Sequence, residues 1–232
     1  AYPGCIVRPP IRRGDLYRDR MLRGAVFLIL DGVFFQDEAI SPREILDVIA
    51  DGALVAGAAS MGALRAAECW PAGMRGVGAI YRLFRSGALE SDDEVAVAFS
   101  ERPTGASSSV ALINVRYAVR QAQKAGLVDR DEARRIVSAT RETFYADRHW
   151  PLVLRAAGLH ERAPLAAALA THDLTARDAE RALEHLKRWL REEPSLLERP
   201  RATRRGFTPS EERREREHDA QAFCVEANLV AL

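Results

Sequence analysis

The sequence predicts an α/β fold in which a parallel sheet is flanked by helices and followed by an α-helical C-terminal part. Two apolar runs, at residues 25–30 and 53–56, are continuous rather than alternating, which is typical of strands buried on both faces. A helical pattern follows each run, and this order favours parallel strands joined by right-handed crossovers. Helical periodicity alone continues from Val110, so we predict an α/β core at residues 1–105 and a helical region at residues 106–232.

Local signals place the elements of the core. Ser41-Pro-Arg-Glu44 is a capping box with proline at the first helical position, and the helix that it opens ends near Gly52. A turn of small residues at 57–62 separates the second strand from the next helix. This arrangement predicts a three-layer, Rossmann-like core. The other predicted core elements are a short strand at 5–8, helices at 15–23 and 63–68, a glycine-punctuated helix between 72 and 87, and a strand at 95–99.

The C-terminal region carries helical patterns and a second start signal. Thr208-Pro-Ser-Glu211 is another capping box, preceded by a basic loop at residues 199–205. The helix that it opens ends in an apolar stretch at 223–232, which we expect to dock on the body of the protein. The earlier helical patterns of this region lie at 111–126, 131–146, 151–157 and 175–192.

Composition limits the classes of function. The 232 residues include 34 basic and 33 acidic side chains, and the formal net charge of +1 gives no argument for binding nucleic acid or an anionic membrane. Cys5, Cys69 and Cys224 form no C-x-x-C pair, so neither a disulfide framework nor a zinc site is supported, and no metal or cofactor is expected. The longest strongly apolar run is too short to span a membrane and no signal peptide is visible, so we expect a cytoplasmic protein.

Two strand ends carry residues suited to chemistry. In open parallel sheets, ligands bind beyond the carboxyl ends of the strands. Asp31 follows the first predicted strand, and Ser60 lies in the turn after the second, directly before a helix. A serine there presents its hydroxyl near unpaired helix N–H groups, which suit a carboxylate, a phosphate or an oxyanion. Residues 58–63, Ala-Ala-Ser-Met-Gly-Ala, also look like the nucleophile stretch of Clp-type serine peptidases.

Each candidate also has a purely structural interpretation. Ser60 is a good helix N-cap, and Glu44 completes the capping box of its own helix. Arg65 and Glu68 lie one turn apart, as in a surface ion pair. The acidic run at residues 92–94 is more often a solvated loop than a metal site. The predicted α/β core contains no histidine, so a Ser-His-Asp triad local to it is not expected.

A series of short motifs resembles the TfuA family. The longest, at residues 57–68, reads Gly-Ala-Ala-Ser-Met-Gly-Ala-Leu-Arg-Ala-Ala-Glu and contains Ser60. Together the motifs look like the TfuA core domain over about residues 5–126. Many relatives carry His-Lys before the Glu-Ile pair, where this chain has Pro42 and Arg43. The other motifs lie at 30–34, 44–45, 73–74, 76–78, 92–96 and 114–116.

The resemblance implies a role in the biosynthesis of ribosomally made, modified peptides. In such systems a YcaO-type enzyme uses ATP to activate a backbone amide, which a sulfur source converts to a thioamide. A TfuA protein is understood to help supply that sulfur by hydrolysing the C-terminal thiocarboxylate of a small ThiS-like carrier. The implied partners are the YcaO-type enzyme and the carrier, with the precursor peptide involved indirectly and neither nucleic acid nor a membrane involved.

We expect specific roles for the residues at the two strand ends. Ser60 is the expected nucleophile, and the Met61 N–H group is expected to form half of an oxyanion hole. The N–H group of Gly32 or Val33 is expected to supply the other half. A groove that leads to the serine is expected to be walled partly by residues 73–87, whose glycines allow close backbone approach.

Further residues are expected to hold the carrier or move a proton. Asp31 or Glu44 is expected to orient the serine or accept its proton, and Arg65 to hold the anionic tail. A non-catalytic adaptor that docks the carrier or the YcaO-type enzyme is the alternative. A nucleotide-binding module is disfavoured, because neither the phosphate-loop nor the dinucleotide-binding motif is present. The residues expected to bind substrate are Asn114, Arg116, Asp93 and Glu94.

Overall fold

A parallel sheet lies at the centre of the fold. β2 is the central strand, because Val26 of β1 pairs with Leu54 of β2 and Ala56 of β2 pairs with Arg75 of β3. This result confirms the parallel sheet predicted from the two apolar runs. The strands are β1 (Val26–Ile29), β2 (Leu54–Gly57) and β3 (Arg75–Gly76). The computed structural model describes residues 5–19, 26–34, 38–99 and 109–197.

Helices accompany the sheet and then follow it, which confirms the predicted fold class. Those interleaved with the strands are α1 (Asp15–Asp19), α2 (Pro42–Ala50), α3 (Met61–Cys69) and α4 (Ala79–Arg85). Those that follow are α5 (Leu112–Lys124), α6 (Arg130–Glu142), α7 (Trp150–Ala156), α8 (Ala163–Ala170) and α9 (Leu174–Glu192).

Helix α2 begins where the sequence predicts. The Ser41 side chain accepts a hydrogen bond from the Glu44 N–H group at 3.3 Å, and proline occupies the first turn. Ile45, Val48 and Ile49 repeat at helical spacing and are buried in one cluster with residues of the sheet. The apolar face of α2 therefore covers one face of the sheet.

Side chains of β1 point alternately to the two faces of the sheet, and helices cover both faces, so the core has three layers. Phe27 and Ile29 belong to the cluster formed with α2 and α3. Leu28 and Leu30 point the other way and pack with Ala182, which lies on α9. Helix α9 thus returns from the C-terminal region to complete the layer opposite α2 and α3.

The helices that lie between α4 and α9 in the sequence form a bundle of their own. Helices α5, α6, α7 and α8 surround a shared apolar cluster that includes Val115, Ile136 and Leu169. Another cluster joins Ile80 of α4 to Ile113 of α5, so the bundle packs against the α/β part. The domain boundary predicted near residue 105 lies outside the described residues, as do the basic loop and the final capping box.

Predictions for several short elements are wrong. Residues 5–8 are irregular rather than a strand. Residues 95–99 follow a 3₁₀ turn at Asp92–Glu94 and do not form the predicted strand. Strand β3 occupies two residues that were predicted to be helical, because a strand that short carries no readable alternation. Helix α8 is an additional element that the pattern of residues 158–174 does not predict. No described helix combines the length and apolar character needed to cross a membrane.

Candidate functional site

A cavity of about 620 Å³ lies beyond the carboxyl ends of β1 and β2. This is where ligands bind in open parallel sheets. The loops after the two strands form one wall, and the helical region forms the other. The polar side chains on its walls come from both parts of the chain: Asp31, Ser60, Ser109, Asn114, Arg148, His149, His172, Asp173 and Thr175.

The turn that carries Ser60 is held against the sheet by two glycines. A Cβ atom on Gly57 would lie 2.0 Å from the Gly62 carbonyl oxygen, and one on Gly62 would lie 1.9 Å from the Ile29 carbonyl oxygen. Only glycine allows backbone to approach that closely. Ala59, next to the serine, has φ of +68°, a left-handed conformation that costs a non-glycine residue about 1–2 kcal/mol. Such strain concentrates at functional sites.

Ser60 lines the cavity, and its hydroxyl does not cap its helix. Ser60 occupies the N-cap position of α3, but its side chain makes no capping hydrogen bond. Its hydroxyl donates to the Val95 carbonyl oxygen at 3.2 Å, and its N–H group donates to the Leu30 carbonyl oxygen at 3.0 Å. The residue is only 5% exposed, yet it lines the cavity. Ser60 therefore occupies the N-cap position that the sequence predicts, but its hydroxyl does not act as the cap.

Asp31 lies beside the serine on the same wall of the cavity. Burial raises the pKa of its carboxyl group, while hydrogen bonds from the Gly32 N–H group and the Ser60 hydroxyl oppose that rise. The hydroxyl has one proton, which it can direct to Asp31 or to the Val95 carbonyl oxygen. A carboxylate with a raised pKa is a stronger base than an exposed one, so this pair is suited to proton transfer.

The first N–H groups of α3 are placed to stabilise negative charge. Those of Met61 and Gly62 have no acceptor within the described part of the chain, as expected for the first turn of a helix. The N–H groups predicted to complete an oxyanion hole are already engaged. The Gly32 N–H group donates to the Asp31 carboxylate at 2.8 Å, and that of Val33 donates to the Ile11 carbonyl oxygen at 3.0 Å.

The comparison with known families covers the part of the chain that carries these residues. A family model described as TfuA-like protein matches residues 31–149, just over half of the chain. The chain belongs to the TfuA family. The match begins at Asp31, contains the Ser60 turn and ends at His149, three residues that line the cavity. None of the curated proteins matches the chain.

Glu44 is a structural residue of this TfuA-like protein and does not line the cavity. It is fully buried, and its carboxylate accepts hydrogen bonds from the N–H groups of Gly14 and Leu16, both at 2.9 Å. These groups lie at the N-terminus of α1, which the carboxylate therefore caps. The capping-box interpretation is half right: Ser41 caps α2, while Glu44 reaches a different helix.

Replacing Glu44 with glutamine is expected to lower the free energy of unfolding by about 1.5–3 kcal/mol, the usual contribution of hydrogen bonds to charged groups. The amide NH₂ group would face one of the two N–H donors that the carboxylate now accepts. Urea denaturation measures the change. Glu38→Gln is the control, because Glu38 pairs with Arg12 at an exposed site and should cost under about 1 kcal/mol. Equal stability of the two variants would contradict the structural role of Glu44.

Arg65 is also committed elsewhere. Its guanidinium donates to the Ile40 carbonyl oxygen at 2.9 Å and to the Glu68 carboxylate at 2.6 Å. It is absent from the cavity wall, so the structure gives it no contact with a ligand bound there. The ion pair with Glu68 expected from their spacing is confirmed.

The acidic turn at Asp92–Glu94 is fixed by two arginines from the helical region. Arg148 donates to both carboxylate oxygens of Asp93, at 2.9 and 2.7 Å. Arg116 binds Glu94 in the same forked manner, at 3.0 and 2.9 Å. The solvated-loop interpretation is wrong for Glu94, which is buried, while Asp92 stays exposed. The predicted substrate-binding residues Asp93, Glu94 and Arg116 instead fix the turn that precedes Val95, whose carbonyl oxygen accepts the Ser60 hydrogen bond.

Asn114 lines the cavity but is occupied in capping α9. Its side-chain oxygen accepts from the N–H groups of Leu174 and Thr175, and its NH₂ group donates to Asp173 and to the Thr175 hydroxyl. Asn114 thus fixes the position of the α9 N-terminus, and with it one wall of the cavity.

Two histidines that the sequence analysis leaves out lie on the cavity wall. His149 directly precedes α7, and His172 lies two residues before α9 with its ring edge against Tyr117. Their distance from Ser60 along the sequence hides this proximity, although the His149-Trp150-Pro151 helix start is a local signal that could have drawn attention to one of them. Within the described residues, no cluster of His, Cys, Asp or Glu side chains could hold a metal ion.

Proposed function

We propose that this TfuA-like protein hydrolyses the C-terminal thiocarboxylate of a small ThiS-like carrier protein and delivers the sulfide to a YcaO-type enzyme. The observation that carries the proposal is the Ser60 hydroxyl, which does not cap its helix and lies in a cavity beside a carboxyl group of raised pKa. TfuA proteins are associated with YcaO-type systems, which supports the choice of substrate.

The site supports each step of an acyl transfer. The Ser60 oxygen attacks the thiocarboxylate carbon, and its proton passes to Asp31. The N–H groups at the start of α3, Met61 and Gly62, stabilise the oxyanion that forms. The carbon–sulfur bond then breaks, and Asp31 returns the proton to the departing sulfur, which leaves as hydrosulfide. Water hydrolyses the ester on Ser60 and releases the carrier as a carboxylate.

The cavity fits the end of a peptide chain better than a folded surface. Its volume of about 620 Å³ lies within the roughly 300–1,000 Å³ range typical of small-molecule sites. An extended glycine tail can enter such a space while the folded carrier stays outside. Arg65 lies elsewhere, so the anionic tail is proposed to bind at the N-terminus of α3.

The selectivity of the reaction tests the proposal. Hydrosulfide is a far better leaving group than an amine, and the carboxylate base is weak, so the protein should hydrolyse thiocarboxylates and leave ordinary peptides intact. The experiment compares sulfide release from a thiocarboxylated carrier with cleavage of the same carrier extended by a few residues. Cleavage of the extended carrier would contradict the mechanism. Carrier binding without sulfide release would support the adaptor instead.

The rate of sulfide release should depend on Asp31 and on pH. Asp31 accepts a proton only when it is ionised. Because its pKa is raised above the ordinary aspartate value of about 4, ionisation requires a higher pH than for an exposed aspartate. The rate should therefore fall as the pH drops through the raised pKa of Asp31. Asp31→Asn should lower the rate by about 10²–10⁴-fold, as expected for a general base. A pH–rate profile of both proteins measures these effects.

The stability of the Asp31→Asn variant provides the folding control. A carboxyl group whose folded pKa is raised contributes stability at low pH, which is lost as the pH rises through that pKa. The asparagine variant should therefore melt at a higher temperature than wild type at neutral pH. If the rate of Asp31→Asn still fell at low pH as that of wild type does, Asp31 would not be the general base. His149 or His172, which also line the cavity, would then take that role.

A further inference from the structure

The segment at residues 95–98 provides a wall of the Ser60 cavity. Val95 and Val97 line the cavity. Residues 73–87, which the sequence predicts as a wall of the groove, do not line it. The segment begins beside the serine, because the Val95 carbonyl oxygen accepts the hydrogen bond from the Ser60 hydroxyl at 3.2 Å. A ligand that reaches Ser60 therefore passes close to this segment.

The backbone at the centre of the segment has no hydrogen-bond partner within the described part of the chain. Neither the N–H nor the C=O group of Ala96 or Val97 forms a hydrogen bond there. Ala96 is only 5% exposed, and Val97 is half-buried against the cluster that joins α4 to α5. Buried backbone polar groups nearly always have a partner, so these groups point to one from outside the chain.

Both ends of the segment are fixed by hydrogen bonds. On its N-terminal side, Arg148 and Arg116 hold the acidic turn with forked pairs. On its C-terminal side, the Ala98 N–H group donates to the Ser109 hydroxyl at 2.9 Å. The unpaired groups are therefore presented by a backbone that is already ordered, which lowers the entropy cost of binding a ligand.

An extended peptide whose C-terminus reaches Ser60 would run along this segment in the opposite direction. Val95 contacts the serine hydroxyl, and Val97 is two residues further along the chain, or about 6.6 Å in an extended backbone. The last two or three residues of the peptide would therefore lie beside the segment. In an antiparallel pair, two opposed residues exchange both of their N–H···O=C bonds, and Val97 has both groups unpaired.

We propose that residues 95–98 bind the C-terminal tail of the carrier as an added antiparallel strand, in which the N–H and C=O groups of Val97 pair with one residue of the tail. The choice of occupant rests on the proposed function, because thiocarboxylate hydrolysis requires the last carbonyl carbon of the carrier to reach Ser60. Main-chain pairing needs no particular side chain on the tail and therefore suits glycine residues. The anionic end of the tail would then lie at the N-terminus of α3.

N-methylation of a synthetic peptide tests this pairing without turnover. The peptide ends in Gly-Gly with an ordinary carboxylate, and isothermal titration calorimetry measures its binding to the full chain. Methylation at one of its last four residues should weaken binding at least about fivefold, because the Val97 carbonyl oxygen loses its donor. Methylation at either neighbouring residue should not, because those N–H groups point away from the pair. Equal effects at neighbouring positions, or no binding of the unmethylated peptide, would overturn the proposal.

Val97→Pro tests the same pairing from the side of the protein. Proline has no N–H group, so the variant should bind the unmethylated peptide at least about fivefold more weakly. Val97→Ala is the matched control, because it shortens the side chain and keeps both backbone groups, and it should retain the wild-type affinity. Circular dichroism checks that both variants fold. Equal weakening by the two variants would contradict a main-chain pairing, and the methylated peptides decide the question if Val97→Pro does not fold.

Sulfide release distinguishes a failure of this pairing from a failure of the proposed function. If the peptide bound with the expected pattern but no sulfide were released from a thiocarboxylated carrier, the pairing would stand and hydrolysis would not. If sulfide were released while all methylated peptides bound alike, hydrolysis would stand and the pairing would be wrong.

Discussion

Replacing Ser60 with alanine is expected to lower the rate of sulfide release from a thiocarboxylated carrier by about 10³-fold or more, because the acyl-transfer route loses its nucleophile. Stability should change little. The lost hydrogen bond to the Val95 carbonyl oxygen contributes only about 1 kcal/mol. Carrier affinity should persist, because docking area and chemistry are separate. The measurement combines steady-state sulfide release with a titration of carrier binding.

Ser86→Ala is the matched control for this experiment. The Ser86 hydroxyl donates to the Leu83 carbonyl oxygen at 3.1 Å, so its removal costs a similar hydrogen bond away from the cavity. The control should retain the wild-type rate. If Ser60→Ala kept that rate while Asp31→Asn was inactive, direct attack by water would replace the acyl-enzyme route. If Ser60→Ala lost carrier binding together with turnover, Ser60 would be a binding residue.

Replacing Arg116 with methionine is expected to lower the free energy of unfolding by about 3–5 kcal/mol, the usual cost of breaking a buried ion pair. The Arg116 and Glu94 side chains are only 4% and 10% exposed and are joined by two hydrogen bonds. Loss of the guanidinium leaves the Glu94 carboxylate buried without its counter-charge. Urea denaturation monitored by circular dichroism measures the effect.

Two further variants separate the ion pair from a general loss of charge. Arg134→Gln removes an arginine from an exposed pair with Asp131 and should cost under about 1 kcal/mol. Adding Glu94→Leu to Arg116→Met removes the stranded carboxylate and should recover part of the loss. A cost below about 1 kcal/mol for Arg116→Met alone would contradict the structural role assigned to this pair.

The parts of the fold that could be predicted are those with local physical causes. Continuous apolar runs identify β1 and β2, and Ser41 with its proline identifies the start of α2. The position of Ser60 between a strand and a helix follows from the same signals. Strand β3 could not be predicted, because its two residues obtain their conformation from pairing with β2 rather than from their own pattern.

The parts of the site that depend on contacts between residues far apart in the sequence could not be predicted. Asp93 and its partner Arg148 are 55 residues apart, so the sequence does not reveal their pairing. By composition alone, the acidic turn resembles a solvated loop. Glu44 fits a capping box locally, yet its carboxylate caps α1 across 28 residues. His149 reaches the cavity because the α5–α8 bundle packs against the α/β part, and His172 reaches it because α9 lies over the sheet.

Hydrolysis is tested most directly by the intact mass of a thiocarboxylated carrier after incubation with the purified protein alone, without a YcaO-type enzyme or ATP. We expect the carrier to become the C-terminal carboxylate while an equal amount of sulfide appears, and Ser60→Ala to leave the thiocarboxylate intact. A carrier that binds the wild-type protein and keeps its thiocarboxylate would contradict hydrolysis and identify the protein as an adaptor.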